Sequence, residues 1–218
     1  LVFLALPHGE SAKVVAQLSA EVKIVDLGAD FRLESAAKWA QYYGGDHAGT
    51  WTYGAPELPG ARAQIKKSSR VANPGCYATA IALGTAPAAS VADLSDVVVV
   101  AASGTTGAGR SAKINLIASE VMGSLTAYKF GGVHQHTPEI EESLQRATGS
   151  QALISFTPVL APMPRGILAT ITMKLSDGVK EEEVRRVYEE TYSSEPFVTL
   201  LPKGNMPKTS AVTGSNMV

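Results

Sequence analysis

The chain has 218 residues, enough for one large domain or two small ones, and its hydrophobic content of 45% supports a sizeable core. With 19 basic and 20 acidic residues the net charge is -1, and no basic stripe indicates nucleic acid or an anionic membrane as a partner. A single cysteine excludes an intrachain disulfide framework and a multi-cysteine metal site. It suits a reducing compartment, so we expect a cytoplasmic protein.

A strand–helix–strand unit is predicted at the start of the chain. The apolar run at residues 1–6 is typical of a central parallel strand covered on both faces, followed by a helix over 10–18 and a second strand over 22–27. Ligands of such sheets bind beyond the carboxyl ends of the strands. The turn Pro7-His8-Gly9 and the segment 28–32 lie at such ends and therefore border a candidate site.

The next part of the chain combines one clear helix with a long irregular stretch. Residues 35–43 form a predicted helix with Ser35 as its N-cap. Residues 44–60 show little periodicity and are predicted to be a loop. Irregular stretches of this length inside a compact domain usually carry function or cover a site.

The only cysteine, Cys76, follows a predicted strand at residues 70–72 and a Pro-Gly turn. The Ala-rich residues 77–86 then predict a helix that Pro87 ends, which places the thiol at a helix N-terminus. Unpaired N–H groups and the positive end of the helix dipole there favour a thiolate, and we expect them to lower the thiol pKa. The alternative is a free cysteine buried as a small hydrophobic residue.

A buried strand at residues 96–102 runs directly into a loop of small residues. This loop, 103–110, contains three glycines, three hydroxyl side chains and a terminal arginine, and a helix is predicted over 113–122. Small residues let backbone N–H groups approach an anion closely, and Arg110 adds a bidentate donor. An anion site at this loop is the functional interpretation, and a flexible turn is the alternative.

A second dense stretch contains two histidines ahead of a helix. Thr137 is the predicted N-cap, with Pro138 and Glu139 in the first turn. His134 and His136 are two residues apart and would point the same way on a strand, but no third metal ligand is spaced nearby. They are either histidines of a surface loop or acid–base partners of the thiol.

The remainder of the chain predicts a second sheet. Strands are expected over residues 151–158 and 166–175, a helix over 180–192, and a further strand over 197–201. Between the first two strands, a stiff proline-containing loop presents Arg165.

Several motifs occur together in the order found in one enzyme family. They are Leu-Pro-His-Gly (6–9), Gly-Ala-Asp-Phe-Arg-Leu (28–33), Tyr-Gly-x-Pro-Glu-Leu (53–58), Asn-Pro-Gly-Cys-Tyr (73–77), Ser-Gly-Thr-Thr-Gly-Ala-Gly-Arg (103–110), Gly-Val-His-Gln-His-Thr-Pro-Glu-Ile (132–140), Arg-Gly-Ile-Leu-Ala-Thr (165–170) and Gly-Ser-Asn (214–216). Through them the whole chain resembles the N-acetyl-gamma-glutamyl-phosphate reductase family of arginine biosynthesis, which is related to aspartate-semialdehyde dehydrogenase. The family's glycine-rich nucleotide-binding turn and its terminal helix have no counterpart here, so we expect an internal segment of a longer polypeptide.

The resemblance implies a fold and a division into domains. The expected fold is α/β: the second half of a Rossmann-like parallel sheet, followed by an α+β catalytic and dimerisation domain with a mixed, largely antiparallel sheet. The partial dinucleotide-binding domain is expected over residues 1–74 and the catalytic domain over 75–212. Residues 213–218 are expected to return towards the Rossmann domain, and relatives lead us to expect a homo-oligomer, a dimer or a tetramer.

The resemblance also implies a reaction, the reduction of an acyl phosphate by NADPH through a thioester. Its expected catalytic residues are Cys76 as nucleophile, His136 as the first and His134 as the second acid–base candidate, and Glu139 to orient a histidine. The expected substrate contacts are Arg110, Arg165 and Ser103. The expected NADP contacts are Pro7, His8, Gly9, Ser103, Gly104, Gly107, Gly109 and Asn216.

Three rival interpretations remain open at this point. An aspartate-semialdehyde dehydrogenase shares the nucleophile and the reaction type, although the stretch around His136 argues against it. A cysteine hydrolase would use the thiol and a histidine but leaves the opening strand–helix–strand unit without a purpose. A non-catalytic interaction domain would have an unreactive Cys76.

Overall fold

The computed structural model describes residues 1–109 and 111–218. Within these ranges the chain forms two compact units. The first unit comprises residues 1–86 and 135–152, and the second comprises 87–134 and 153–218. The predicted domain boundaries after residues 74 and 212 stay a prediction.

The strands, in chain order, are β1 (Val2–Leu4), β2 (Ile24–Asp26), β3 (Thr52–Tyr53), β4 (Arg70–Ala72), β5 (Ala92–Ser103), β6 (Thr126–Ala127), β7 (Ile154–Leu160) and β8 (Ile167–Leu175). The helices are α1 (Ser11–Val15), α2 (Ala36–Tyr42), α3 (Ala61–Lys67), α4 (Cys76–Thr85), α5 (Ala118–Val121), α6 (His136–Thr148) and α7 (Glu181–Tyr192). Short 3-10 turns occur at Ala86–Ser90, Thr105–Ala108, Ile114–Leu116 and Thr209–Val212. Across the residues described, no helix combines the length and the apolar character needed to cross a lipid bilayer.

The first unit is built on a parallel sheet with the strand order β1-β2-β4-β3. This parallel sheet with its helices confirms the first half of the predicted fold. The prediction that the opening strand is central and covered on both faces is wrong for the described chain. β1 lies at the edge of the sheet, so that Leu4 is buried whereas Phe3 is 64% exposed.

The second unit contains a mixed sheet with the strand order β6-β7-β5-β8. β5 is parallel to β7 and antiparallel to β8, and β6 is antiparallel to β7, which confirms the predicted mixed sheet. Val97 and Val99 point to a buried face, where the hydrophobic cluster around Val91 packs against α7. Val98 and Val100, on the opposite face, are 44% and 47% exposed.

Two predicted elements are wrong and three short ones were missed. The helix expected over 113–122 is divided into a 3-10 turn and α5, because Ile117 between them is extended, with φ -72° and ψ 156°. The β-branched side chains at 114 and 117 disfavour a continuous helix here. Residues 197–201 do not form a strand. The N–H of Val198 bonds to the carbonyl of Glu195, and Phe197 and Thr199 form backbone bonds with Val218. β3, α3 and β6 lie where the sequence predicts a loop or no element.

Candidate active site

Cys76 is the first residue of α4, as the sequence predicts, and it is exposed. Gly75 before it is extended, with φ -68° and ψ 153°, and so forms the N-cap of the helix. The carbonyl of Gly75 accepts bonds from the backbone N–H of Thr79 at 2.9 Å and from its hydroxyl at 3.0 Å. The Pro-Gly turn and the first helical turn together therefore fix the backbone that carries the thiol.

The thiol pKa does not follow the prediction. Although Cys76 is exposed, partial burial of its thiol among protein atoms raises the pKa, and the charge of Glu139 raises it further. The backbone N–H of Tyr77 and the charge of Arg32 act in the opposite direction. The helix N-terminus thus stabilises a thiolate as expected, but desolvation is the larger effect and the net pKa is raised.

Glu139 is a fully buried carboxylate that accepts three hydrogen bonds. Its Oε1 accepts from the backbone N–H of Gly75 at 2.7 Å and from the Tyr53 hydroxyl at 2.8 Å. Its Oε2 pairs with Nη1 of Arg32 at 3.3 Å, and Nη2 of Arg32 donates to the carbonyl of Leu27 at 2.8 Å. A buried charge is tolerated only when it is paired and hydrogen-bonded, and these contacts satisfy that condition.

The pKa of Glu139 is lowered despite complete burial. Desolvation is the largest single effect and would raise it, but the charges of Arg32 and His136 and the bonds from Gly75 and Tyr53 together outweigh it. Glu139 is therefore ionised at neutral pH.

His136 lies directly against Gly75, the residue that precedes Cys76. A Cβ placed on Gly75 would be 2.6 Å from Nε2 of His136 and 2.9 Å from Nη1 of Arg32. The imidazole also packs edge-on against the ring of Tyr77, with centroids 6.1 Å apart. The first choice of acid–base group therefore lies beside the start of α4 in the same unit as Cys76, and its role in proton transfer stays a prediction.

The helix that carries His136 begins earlier than predicted. Gln135 is the N-cap and Thr137 is already inside the helix, so the assignment of Thr137 as N-cap is wrong. Pro138 is tolerated at this point because the first-turn N–H groups have no partner within the helix. His136 therefore lies in a helix, and it does not share a strand with His134.

His134 belongs to the second unit, where it is only 7% exposed. Its ring packs edge-on against Phe156 and Tyr128, with centroids 5.2 Å and 5.9 Å apart. The surface-loop interpretation is therefore wrong for this histidine. Its role as the second acid–base candidate stays a prediction.

The small residues of the 103–109 loop approach protein backbone closely. The N–H groups of Gly104, Thr105 and Thr106 donate to carbonyls of the loop 163–166, at 3.0, 3.0 and 3.1 Å. A Cβ on Gly104 would lie 2.6 Å from the backbone nitrogen of Arg165. These N–H groups are thus already paired, which gives the small residues a structural purpose. Binding of substrate or cofactor by Ser103, Gly104, Gly107 and Gly109 stays a prediction.

The three remaining predicted contacts are Arg165, Asn216 and Arg110. The side chain of Arg165 is exposed on the loop that holds Gly104, and Asn216 is exposed near the end of the chain. Arg110 lies outside the described residues. Within the described ranges, no three His, Cys, Asp or Glu side chains come together in a way that could hold a metal ion.

The turn after β1 is shaped by a carboxylate that sequence reasoning did not single out. Oδ1 of Asp30 accepts from the N–H of Gly9 at 2.7 Å, and its Oδ2 accepts from the N–H of Ala12 at 3.1 Å. Gly9 has φ +87°, a conformation that favours glycine. His8 packs edge-on against Tyr43, and burial, followed by the charge of Arg32, lowers its pKa. The turn is therefore held in one shape with its residues 7–9 exposed.

Two family models match this chain. The model described as "Semialdehyde dehydrogenase, dimerisation domain" matches residues 76–218, and the one described as "Semialdehyde dehydrogenase, NAD binding domain" matches residues 1–68. N-acetyl-gamma-glutamyl-phosphate reductases of Acidothermus cellulolyticus and Streptomyces coelicolor are 61% and 56% identical over the whole chain. The chain spans 64% of the length of each of these relatives.

A solved structure has the same fold at low sequence identity. Aspartate semialdehyde dehydrogenase II from Vibrio cholerae matches 97% of this chain and 65% of its own, with a TM-score of 0.69 and 16% identity. This likeness concerns the fold alone.

Replacing Gly75 by alanine should destabilise the protein. Since the φ of Gly75 is ordinary, the whole effect comes from the close approach of His136 and Arg32 to the new methyl group. We expect a loss of roughly 1–3 kcal/mol in the free energy of unfolding, measured with urea. Gly107→Ala is the control, because its new Cβ would meet nothing closer than 3.4 Å. Equal losses in the two variants would contradict the steric explanation.

The lowered pKa of Glu139 predicts a specific loss of stability in acid. Its contribution is fully present above the pKa of an unfolded glutamate, about 4.3, and is lost as the pH falls through the lower folded value. Urea unfolding between pH 3 and pH 7 should show this loss in the wild type and not in Glu139→Gln. Glu189→Gln, which removes an exposed partner of Arg185, should keep the wild-type pH dependence. Parallel curves for the wild type and Glu139→Gln would rule out this assignment.

Proposed function

Because this chain belongs to the semialdehyde dehydrogenase family, we propose that it provides the catalytic centre of an N-acetyl-gamma-glutamyl-phosphate reductase. The reaction is the NADPH-dependent reduction of N-acetyl-gamma-glutamyl phosphate to N-acetylglutamate semialdehyde and phosphate in arginine biosynthesis, in the cytoplasm. The observation that carries the proposal is an exposed Cys76 at the start of a helix, with His136 and Arg32 against the residue before it.

In the first step, the sulfur of Cys76 attacks the acyl carbon of the substrate. An S–C bond forms, the bond between the acyl carbon and the phosphate oxygen breaks, and phosphate leaves with the electron pair. The thiol must lose its proton first, and its raised pKa makes a proton acceptor necessary. His136, which lies against the residue before Cys76, is the group that we assign to this task.

A nicotinamide cofactor, when bound, supplies the hydride that reduces the thioester. The described residues fit one end of such a cofactor, because residues 7–9 form an exposed and rigid turn at the carboxyl end of β1. His136 then handles the proton of the hemithioacetal on Cys76. When this adduct collapses, the S–C bond breaks, the electron pair returns to sulfur and the aldehyde leaves. The choice of NADP over NAD is part of the proposal.

The remaining predicted contacts complete the proposed site. Arg165 and Arg110 are assigned to the phosphate and carboxylate of the substrate, since a guanidinium binds either group through two parallel hydrogen bonds. Ser103 is assigned to both the substrate and the cofactor. The further cofactor contacts are Gly104, Gly107 and Gly109 of the same loop and Asn216.

Replacing Cys76 by serine should abolish phosphate- and NADP-dependent oxidation of N-acetylglutamate semialdehyde, since a serine hydroxyl is a far weaker nucleophile.

His136→Asn should lower kcat by about 10²- to 10⁴-fold, the range for acid–base assistance. Both are measured by absorbance of NADPH. Full turnover by Cys76→Ser would exclude the covalent route. Greater turnover with aspartate semialdehyde than with N-acetylglutamate semialdehyde would overturn the substrate assignment.

We also propose that the open face of the second sheet binds another copy of the chain. In the register of β5 with β8, Val98 and Val100 lie opposite Thr172 and Thr170, and Leu168 lies opposite Ala102. These opposed residues share one face, where the three large aliphatic side chains are 38–47% exposed. α7 packs on the other face. The matching dimerisation-domain model supports self-association through this sheet.

Val100→Asp should convert the oligomer to monomers, because the interface would bury an unpaired charge. Mass measured by light scattering after size-exclusion chromatography reports the change. Arg186→Glu, on the exposed side of α7, is the control and should assemble as the wild type does. An unchanged mass for a folded Val100→Asp variant would show that another surface is used.

A further inference from the structure

The buried network around Glu139 joins separate parts of the first unit at one backbone amide. Tyr53 comes from β3, Arg32 follows β2, and Glu139 lies in the first turns of α6. All three side chains are buried, and Glu139 is inaccessible to solvent. Tyr53 and Arg32 donate to Glu139, and Glu139 in turn accepts from the N–H of Gly75 at 2.7 Å. The amide before Cys76 is therefore held by one carboxylate, which Tyr53 and Arg32 fix in place.

Stability alone is a weak explanation for this arrangement. A buried ion pair often contributes little net stability, because the cost of desolvating both charges offsets their attraction. A neutral glutamine at position 139 could still accept from the Gly75 amide. The ionised form makes stronger and shorter bonds, however, and requires Arg32 as its partner. The negative charge of Glu139 therefore indicates that the Gly75 amide must be held rigidly in one position.

Gly75 is the residue held in this way, and its position determines where Cys76 lies for the attack. The N–H of Gly75 is fixed by Glu139 and its carbonyl by Thr79. The peptide groups on both sides of Gly75 are thus anchored, and Cys76 is the next residue. A displacement of about 1 Å at a reacting group can lower a rate by roughly 100-fold.

We propose that Arg32 and Tyr53 are positioning residues, which act through Glu139 to fix the Gly75 amide and so hold Cys76 at the start of α4 in the geometry for attack. The proposal deepens the proposed function and rests on it for the identity of the reaction. Neither Arg32 nor Tyr53 is assigned to contact the substrate.

The charges of the network make the proposal testable at the thiol itself. Glu139 raises the pKa of Cys76 and Arg32 lowers it, so within the intact pair the two effects oppose each other. His136 on α6 is a further titratable group placed against the start of α4. Removing one partner leaves the charge of the other uncompensated. The two single variants should therefore change the thiol in opposite directions, which a general loss of packing cannot do.

The experiment measures the rate of Cys76 alkylation by iodoacetamide from about pH 6 to about pH 11, in the wild type and in folded variants. Because the chain has one cysteine, the signal comes from this thiol alone. Arg32→Met should move the midpoint of the pH profile up and Glu139→Gln should move it down, each by about one pH unit. The double variant should return close to the wild type. Shifts in the same direction, or no shift in either single variant, would overturn the proposal.

Tyr53→Phe tests positioning without a change of charge. It should leave the alkylation midpoint in place and lower kcat by about 10- to 100-fold with little change in KM. An unchanged kcat would overturn the role of Tyr53. If Arg32→Met does not fold, Arg32→Lys replaces it: its alkylation midpoint should stay near the wild type while kcat falls, and wild-type kcat would count against the proposal.

Arg146→Met is the matched control. Arg146 stacks on the Tyr53 ring at 4.6 Å and pairs with Glu34 at 2.9 Å, so it touches the same tyrosine without binding Glu139. Its alkylation midpoint should match the wild type, and a shift equal to that of Arg32→Met would overturn the proposal. Alkylation needs no cofactor or substrate, so it distinguishes failure of the proposal from failure of the proposed reaction, which appears only in turnover by Cys76→Ser.

Discussion

The bonds of one buried carboxylate hold the candidate active site together. Glu139 brings a negative charge into the first unit, where water cannot solvate it, and three donors take the place of that water. Its position on α6 means that the same bonds attach this helix to the sheet and to the start of α4. The residues around the thiol are thus organised by electrostatics as much as by hydrophobic packing.

The position of the thiol involves two opposing effects. The start of α4 offers Cys76 the N–H groups that favour an anion, but the protein around the sulfur removes water from it, and the second effect is larger. A cysteine with a raised pKa is a poor nucleophile until a base removes its proton. The imidazole of His136 lies against Gly75, beside the start of the same helix.

Local patterns in the sequence were sufficient for the position of Cys76 but not for its surroundings. The Pro-Gly turn and the Ala-rich run after it act over a few residues, and they place the thiol correctly. Arg32 and Tyr53 were missed because their partner Glu139 is 107 and 86 residues away along the chain. Nothing in the composition of residues 44–60 indicates that a tyrosine there reaches a buried carboxylate. The three-residue and two-residue strands of the parallel sheet are likewise defined by their neighbours, since such short runs carry little periodicity.

The glycine-rich loop shows the same limit in another way. Its small residues correctly indicate a close approach, but the sequence does not reveal what approaches. In the structure the partner is the backbone of residues 163–166, which takes up the N–H groups that an anion would need. Small side chains permit contact with a ligand and with another segment of protein equally well.

The return of α6 to the first unit has a consequence for synthesis of the protein. Cys76 and its N-terminal neighbours leave the ribosome about 60 residues before Glu139, and at roughly 5–20 residues per second the delay is several seconds. During that interval α4 lacks the carboxylate that anchors its first peptide group, and the partner guanidinium has no counter-ion. The sulfur of Cys76 therefore reaches its final setting only after the whole of β5, in the second sheet, has been made.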